Sequence, residues 1–121
     1  MKIERFEDIK AWQEARRLAN IIYKLTTRPD FSKDFGLRDQ IRRAAVSVMA
    51  NIAEGFERKT NKEFRNFLSI ARASSSEVRS HLYVALDQNY IEKADFDLAY
   101  KTCDETSKLI FGFMKYLESC K

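Results

Sequence analysis

The scarcity of helix-breaking residues is the strongest constraint on the fold of this chain. Its 121 residues include three glycines and one proline, which leaves little turn chemistry for a protein built from β-strands. Long stretches instead repeat apolar side chains at intervals of three and four residues, the spacing of one face of an α-helix. We therefore predict an all-α fold, an antiparallel up-down-up-down four-helix bundle that occupies residues 1–121 as a single domain.

Breaks in this periodicity set the expected ends of four helices, over residues 6–25, about 33–55, 60–88 and 92–119. Pro29 interrupts the chain after the first helix. Gly55 stands where a left-handed residue would end the second. Thr60 and Glu63 have the spacing of a capping box at the start of the third, which is expected to stop at Asn89. The inward stripe of the first helix is predicted to contain Ile9, Trp12, Ala15, Leu18, Ala19, Ile22 and Leu25.

The segment over residues 58–79 provides the main functional signal. It contains six basic and two acidic residues, so its net charge of +4 equals that of the whole chain. If the segment is helical, five of its cations fall within about 100° of one another, on a face turned away from the apolar stripe. Ser69 and Ser76 lie between them. The side chains predicted to bind the backbone phosphates of structured RNA or DNA are Arg58, Lys62, Arg65, Arg72 and Arg79.

The same basic face is also compatible with an ordinary solvated surface or with salt bridges to a neighbouring subunit. The fourth predicted helix has an ordinary solvated face with acid-first pairs at i and i+4. This face contains Asp97, Lys101, Asp104, Lys108 and Lys115. The cations of the third helix are not balanced in this way. The alternative function is therefore a protein-interaction scaffold or adaptor, with an acidic protein partner and no direct nucleic-acid contact.

The second predicted helix carries a polar row opposite its apolar stripe. Val46, Ala50 and Ala53 flank the row, and small side chains there would let another helix approach closely. We predict that the subunits of a homo-oligomer associate at this row, although a solvated face would have the same pattern. The predicted interface residues are Gln40, Arg43, Ser47, Asn51 and Glu54.

The sequence offers no candidate catalytic, metal or cofactor site. His81 is the single histidine and follows Glu77 by four residues, whereas the di-metal sites of helical bundles require Glu-x-x-His. Glycine is too sparse for a phosphate-binding loop, and no Ser or Cys has a His at motif spacing. Cys103 and Cys120 are expected on one helix about 25 Å apart, as free thiols. We predict a protein that is not an enzyme and needs no metal or cofactor.

The hydropathy pattern shows no membrane association. No run approaches the ~20 apolar residues of a membrane span, and the first residues lack the apolar stretch of a signal peptide. A cytoplasmic protein is therefore expected. The isoelectric point near 9.1 permits a nucleic-acid partner without demonstrating one.

The stretch over residues 35–55 resembles a known protein family. Phe-Gly-Leu at 35–37 is followed by Gln-Ile-Arg-Arg-Ala-Ala at 40–45 and Asn-Ile-Ala-Glu-Gly at 51–55. In these positions the chain resembles the four-helix-bundle proteins encoded in intervening sequences of bacterial 23S ribosomal RNA genes, and the resemblance extends over nearly the whole chain. Met49 and Ala73 depart from the family pattern, which commonly has proline and glycine there.

The resemblance implies an up-and-down bundle that assembles as a homo-oligomer, with ring-like pentamers among the known relatives. It implies no established enzymatic activity. A similar bundle is the accessory protein of diversity-generating retroelements, which associates with a reverse transcriptase and with nucleic acid. The resemblance therefore favours nucleic-acid binding and leaves a protein partner open.

Overall fold

The computed structural model of the chain describes residues 3–120. Its helices are α1 (Lys10–Leu25), α2 (Pro29–Lys33), α3 (Phe35–Phe56), α4 (Asn61–Asp87) and α5 (Lys93–Ser119). A single 3-10 turn over Phe6–Asp8 precedes α1, so the first helix begins four residues later than predicted. The described residues contain no strand.

The four long helices pack around a shared core in the predicted manner. The helix α1 contacts α3 and α5, α3 contacts α4, and α4 contacts α5. Connections of four residues after α3 and five after α4 reverse the chain direction. The all-α four-helix bundle predicted from the sequence is confirmed.

Two apolar clusters fill the interior of the bundle. Members of the first include Leu18, Ile41, Leu82 and Phe96, and members of the second include Ile52, Leu68 and Ile110. Ser75 and Thr106 lie in sequence between members of the two clusters, and both are fully buried. The Ser75 hydroxyl donates to the Cys103 carbonyl at 3.1 Å, and Thr106 donates to the Thr102 carbonyl at 2.7 Å. The buried hydroxyls are thus satisfied by helix carbonyls.

Most of the predicted helix ends are confirmed. Pro29 occupies the first turn of α2, where its missing N–H costs nothing. The Thr60 hydroxyl accepts a hydrogen bond from the backbone N–H of Glu63 at 3.1 Å, which caps α4. Asn89 follows α4 with a φ of 62°. This left-handed residue turns the chain towards α5.

The prediction for Gly55 is wrong. The helix α3 continues to Phe56, and no glycine of the described residues has a positive φ. Gly55 lies inside the helix at its contact with α4. A Cβ at this position would lie 2.7 Å from Cδ1 of Phe64 and 2.9 Å from Cβ of Phe67. The site requires the absence of a side chain rather than left-handed backbone freedom.

Candidate nucleic-acid interface

The structure divides the predicted basic residues into two groups. Lys62, Arg65, Arg72 and Arg79 lie on α4. The three arginines repeat every seven residues, which separates them by about 10.5 Å along the helix axis. They therefore form one row along one side of α4.

Arg58 does not belong to this row, because it precedes the start of α4. Its guanidinium carbon lies 4.6 Å from the centroid of the Phe67 ring, and its Nη2 lies 3.9 Å from Oε1 of Glu54. Phe67 is also the residue whose Cβ closely approaches Gly55 of α3. Arg58 therefore lies on the α3 side of α4, and the expectation that all five cations share one helix face is wrong.

The remaining row runs along the seam between α4 and α5. The Nε of Arg72 donates a hydrogen bond to the Ser107 hydroxyl at 3.1 Å, and its Cζ lies 4.5 Å from the centroid of the Phe111 ring. The Nζ of Lys115 lies 5.5 Å from the same ring. Both helices therefore contribute to one surface. The basic seam is defined here as Lys62, Arg65, Arg72 and Arg79 of α4 with Lys115 of α5.

Two arginines of the basic seam have an unusual polar environment. The Nε atoms of Arg65 and Arg79 are buried and have no hydrogen-bond partner among residues 3–120. The outer nitrogens have weak partners, since Arg65 lies 4.0 Å from a Glu118 oxygen and Arg79 donates to the Ser76 hydroxyl at 3.3 Å. These weak contacts leave outer N–H donors of both guanidiniums available to a ligand.

A groove of about 570 Å³ opens at the Lys62 end of the basic seam. Its lining includes the three cations Lys62, Arg65 and Lys115, the carboxylate of Glu118, the ring of Phe111, and the polar side chains of Asn66 and Ser69. Three positive charges thus face one negative charge. The amide and the hydroxyl add hydrogen-bonding groups beside the charges.

Two residues of this surface were missed by the sequence prediction. The sequence pattern places Lys115 on the solvated face of the fourth helix, and Phe111 on no functional face. The signal for Phe111 was its position outside the inward stripe of its helix. An aromatic residue there is expected to be exposed, and the Phe111 side chain is 42% exposed.

The polar row of α3 contains half-buried members, Ser47 and Asn51, and exposed ones. The Ser47 and Ser74 hydroxyls lie 3.0 Å apart, and the Asn51 amide donates to the Ser47 carbonyl at 2.8 Å and to its hydroxyl at 2.9 Å. The helix that approaches Ser47 is therefore α4 of the same chain, and the Asn51 amide hydrogen-bonds within α3. The exposed members of the row are Gln40, Arg43 and Glu54.

Other titratable groups do not assemble into a second site. No group of three His, Cys, Asp or Glu side chains within the described part of the chain is arranged to hold a metal ion. His81 pairs with Glu77 at 3.3 Å, one helical turn away. Burial raises the pKa of the Cys103 thiol to about 12, which makes it a poor nucleophile. None of the helices in residues 3–120 is both long and apolar enough to cross a membrane.

Comparisons with known proteins agree with this fold. The sequence model of a family described as 23S rRNA-intervening sequence protein matches residues 7–112. No curated protein matches the chain. The structure is similar to the crystal structure, at 1.70 Å resolution, of a protein of unknown function from the S23 ribosomal protein family of Bacteroides thetaiotaomicron VPI-5482. That match has a TM-score of 0.79 and 24% sequence identity, and it covers 87% of this chain and 98% of the other.

Proposed function

The chain belongs to the family of 23S rRNA-intervening sequence proteins, and we propose that it is a non-enzymatic, homo-oligomeric helical bundle that binds structured RNA or DNA through the backbone phosphates. The observation behind this proposal is the basic seam with its groove. Its cations come from two helices and lie along one seam. Phosphate oxygens are the natural partners of such a surface, because arginine and lysine bind them with charge-assisted hydrogen bonds.

The packing of the basic seam supports recognition of phosphates rather than a purely structural role. Arg72 is oriented by Ser107 and Phe111, so little side-chain freedom is lost when it binds a ligand. Lys62 is exposed and has no ion pair with residues 3–120 at 4.0 Å or less. The one carboxylate of the groove, Glu118, is 73% exposed and lies 4.0 Å from Arg65. Such a contact is weak in water, and a phosphate can replace it.

Assembly would increase the affinity for a nucleic acid long enough to contact several subunits. A homo-oligomer presents one basic seam per subunit, and several weak phosphate contacts on one nucleic acid act together. The exposed residues Gln40, Arg43 and Glu54 on α3 are the proposed subunit interface. The resemblance described above makes a pentamer the expected assembly.

A protein-interaction scaffold is the second candidate function, favoured by one face of α5. Leu98, Leu109 and Tyr116 are separated by eleven and seven residues, which places them on the same side of the helix. Their exposed fractions are 46%, 38% and 61%. Exposed apolar side chains in a row favour contact with another protein.

Salt dependence of binding tests the nucleic-acid proposal. If the five cations of the basic seam each meet a phosphate of duplex nucleic acid, the logarithm of affinity falls against the logarithm of salt with a slope of about −4.5 per protomer. Fluorescence anisotropy with a folded 23S rRNA fragment measures this slope. Competition with heparin measures how much of the RNA binding is displaced by a polyanion that is not a nucleic acid.

Replacement of charged side chains identifies the surface that binds the nucleic acid. Lys62→Ala combined with Lys115→Ala leaves three cations and is expected to reduce the slope to about −2.7. Lys10→Ala combined with Lys33→Ala removes the same charge from positions elsewhere on the chain and is the matched control. A slope near zero for the wild type would rule out binding through the seam. Unchanged binding after Arg65→Glu with Arg72→Glu would do the same, whereas no nucleic-acid binding by the wild type would favour the scaffold.

A further inference from the structure

We propose that the basic seam holds an unpaired nucleotide, with its base stacked on the ring of Phe111 and its phosphate held by Lys62, Arg65 and Lys115. This inference rests on the proposed function. It specifies the part of a structured nucleic acid that enters the groove: a loop, bulge or single-stranded end rather than a duplex.

The position of Phe111 is the first observation behind this inference. Its side chain is 42% exposed and lines the groove of the basic seam. Phe113, two residues further on, is half-buried and packs against the core instead, with its ring 5.2 Å from that of Phe64. Phe111 therefore contributes little to the apolar interior. Its exposed ring lies among cations, which is the composition of surfaces that bind single-stranded nucleic acid.

The two cations beside the Phe111 ring differ in how firmly they are held. Arg72 is fixed by its hydrogen bond to Ser107, with its Cζ 4.5 Å from the ring centroid. The Lys115 ammonium is 5.5 Å from the centroid, near the outer limit of a cation–π contact, on a flexible stem. A base can take the place of this ammonium on the ring. The freed charge then lies beside the phosphate of the same nucleotide.

Stacking on the Phe111 ring requires the nucleotide to be unpaired. In a duplex the faces of the bases are stacked on one another, and the surface offers phosphates and base edges. A protein ring cannot reach a base face unless the nucleotide is turned out of the stack. Asn66 and Ser69 line the same groove, where they can hydrogen-bond the edge of such a base.

A second exposed aromatic residue lies further along the basic seam. Tyr83 follows Arg79 by one helical turn and is 50% exposed. The Arg79 guanidinium carbon lies 5.7 Å from the ring of Tyr100, and the Tyr83 and Tyr100 rings are 6.1 Å apart. Arg72 and Arg79 thus lie between an aromatic position at Phe111 and a second one at Tyr83 and Tyr100. The two positions give a single strand more than one stacking site along the surface.

The test compares an oligo(dT) strand with a duplex of equal length, by anisotropy with the full chain. Phe111→Leu removes the aromatic face and keeps an apolar side chain. It is expected to weaken oligo(dT) binding roughly 5- to 150-fold and to leave duplex binding unchanged. Phe35→Leu is the matched control, because Phe35 is 64% exposed and lies 4.9 Å from the Arg38 guanidinium, outside the basic seam. It is expected to bind both forms as the wild type does.

Phe111→Trp provides a positive measurement of the same contact. It preserves a stacking surface and is expected to bind oligo(dT) at least as well as the wild type. Its added indole emission should be quenched by oligo(dT), whereas the emission of Trp12 in the wild type, on α1, should not change. Wild-type binding of both forms by Phe111→Leu, with both weakened in the Lys62 and Lys115 variant, overturns base stacking and leaves phosphate binding in place. No binding of either form by the wild-type chain at low salt overturns the proposed function and this inference together.

Discussion

The ring of Phe64 packs so closely against Gly55 that a Cβ on the glycine would lie 2.7 Å from its Cδ1 atom. The Cβ of Phe67 would be 2.9 Å away, and this atom is fixed to the backbone of α4. Gly55 therefore sets how closely the end of α3 approaches the start of α4. Arg58 and the basic row emerge on different sides of α4 just beyond this contact.

Gly55→Ala is expected to destabilise the fold. Alanine improves helix propensity by up to about 1 kcal/mol, but the new methyl group must displace a ring and a backbone-linked carbon, and overpacking of this kind costs about 1–3 kcal/mol. The net loss should be about 1 kcal/mol, measured as the free energy of unfolding in urea.

Gly112→Ala is the control, since nothing lies within 4 Å of its Cβ position. There the propensity gain of roughly 0.5–1 kcal/mol should appear as stabilisation. Equal stabilisation by both substitutions would contradict the close contact at Gly55.

The structural role of Gly55 could not be predicted from the sequence, although the helices themselves could. The periodicity of apolar residues predicted the four long helices, because each helix must bury one stripe. A glycine near a helix end can serve either a left-handed turn or a close contact. The choice depends on Phe64 and Phe67, which belong to another helix and meet Gly55 only in the folded chain.

The sequence likewise predicted part of the candidate nucleic-acid interface and missed the rest. Charge composition identified α4 and its arginines without any tertiary information. Arg58 was misplaced because its direction depends on the loop before Asn61. The contribution of α5 was missed because Phe111 and Lys115 become part of the surface only when α5 packs beside Arg72. Sequence patterns describe the faces of single helices, whereas a groove between two helices depends on their relative rotation.

The ion pair between Arg28 and Asp95 is expected to make the free energy of unfolding depend on pH in the acidic range. The hydrogen bond from Arg28 lowers the pKa of Asp95 below its ordinary value of 3.8. A carboxylate with a lowered pKa in the folded state stabilises the fold above about pH 4, and this contribution is lost as the pH falls through the folded-state pKa. Because Arg28 is 41% exposed and Asp95 25% exposed, the contribution should stay below about 1 kcal/mol.

Urea unfolding across the acidic range measures this contribution. Asp95→Asn and Arg28→Gln should each reduce stability near neutral pH and flatten its decline below about pH 4. The double variant should lose less than the sum of the two single losses, since both remove one interaction. Strict additivity, or an unchanged acid profile in Asp95→Asn, would show that the pair does not couple stability to pH.

The two thiols should differ sharply in reactivity. Cys103 is buried, and burial raises the pKa of its thiol to about 12, whereas Cys120 is exposed. The thiolate is the reactive form, so a chromogenic disulfide reagent should modify one thiol per folded chain quickly. Cys120→Ser should abolish this fast phase, and Cys103→Ser should preserve it. Fast modification of Cys103 in the Cys120→Ser variant would mean that the α4–α5 contact around Ser75 opens readily.

Assembly through α3 is expected to be sensitive to charge at Arg43. The wild-type chain at micromolar concentration should have a light-scattering mass that is a multiple of the 14.2 kDa of one chain, and a pentamer would have about five times that mass. Arg43→Glu turns the mixed-sign row with Glu54 into an acidic one. In a cyclic pentamer this row meets a different patch of the neighbouring subunit, and reversing the charge of Arg43 removes its complementarity to that patch. This variant should dissociate, whereas Lys33→Glu, with the same charge change on α2, should not. A monomeric wild type contradicts assembly, and an unaffected mass for Arg43→Glu moves the proposed interface to the apolar face of α5.

If the Arg43→Glu variant does dissociate, its basic seam is intact but is no longer repeated in an assembly. Its affinity for a long RNA should therefore fall by up to about 10²- to 10⁴-fold.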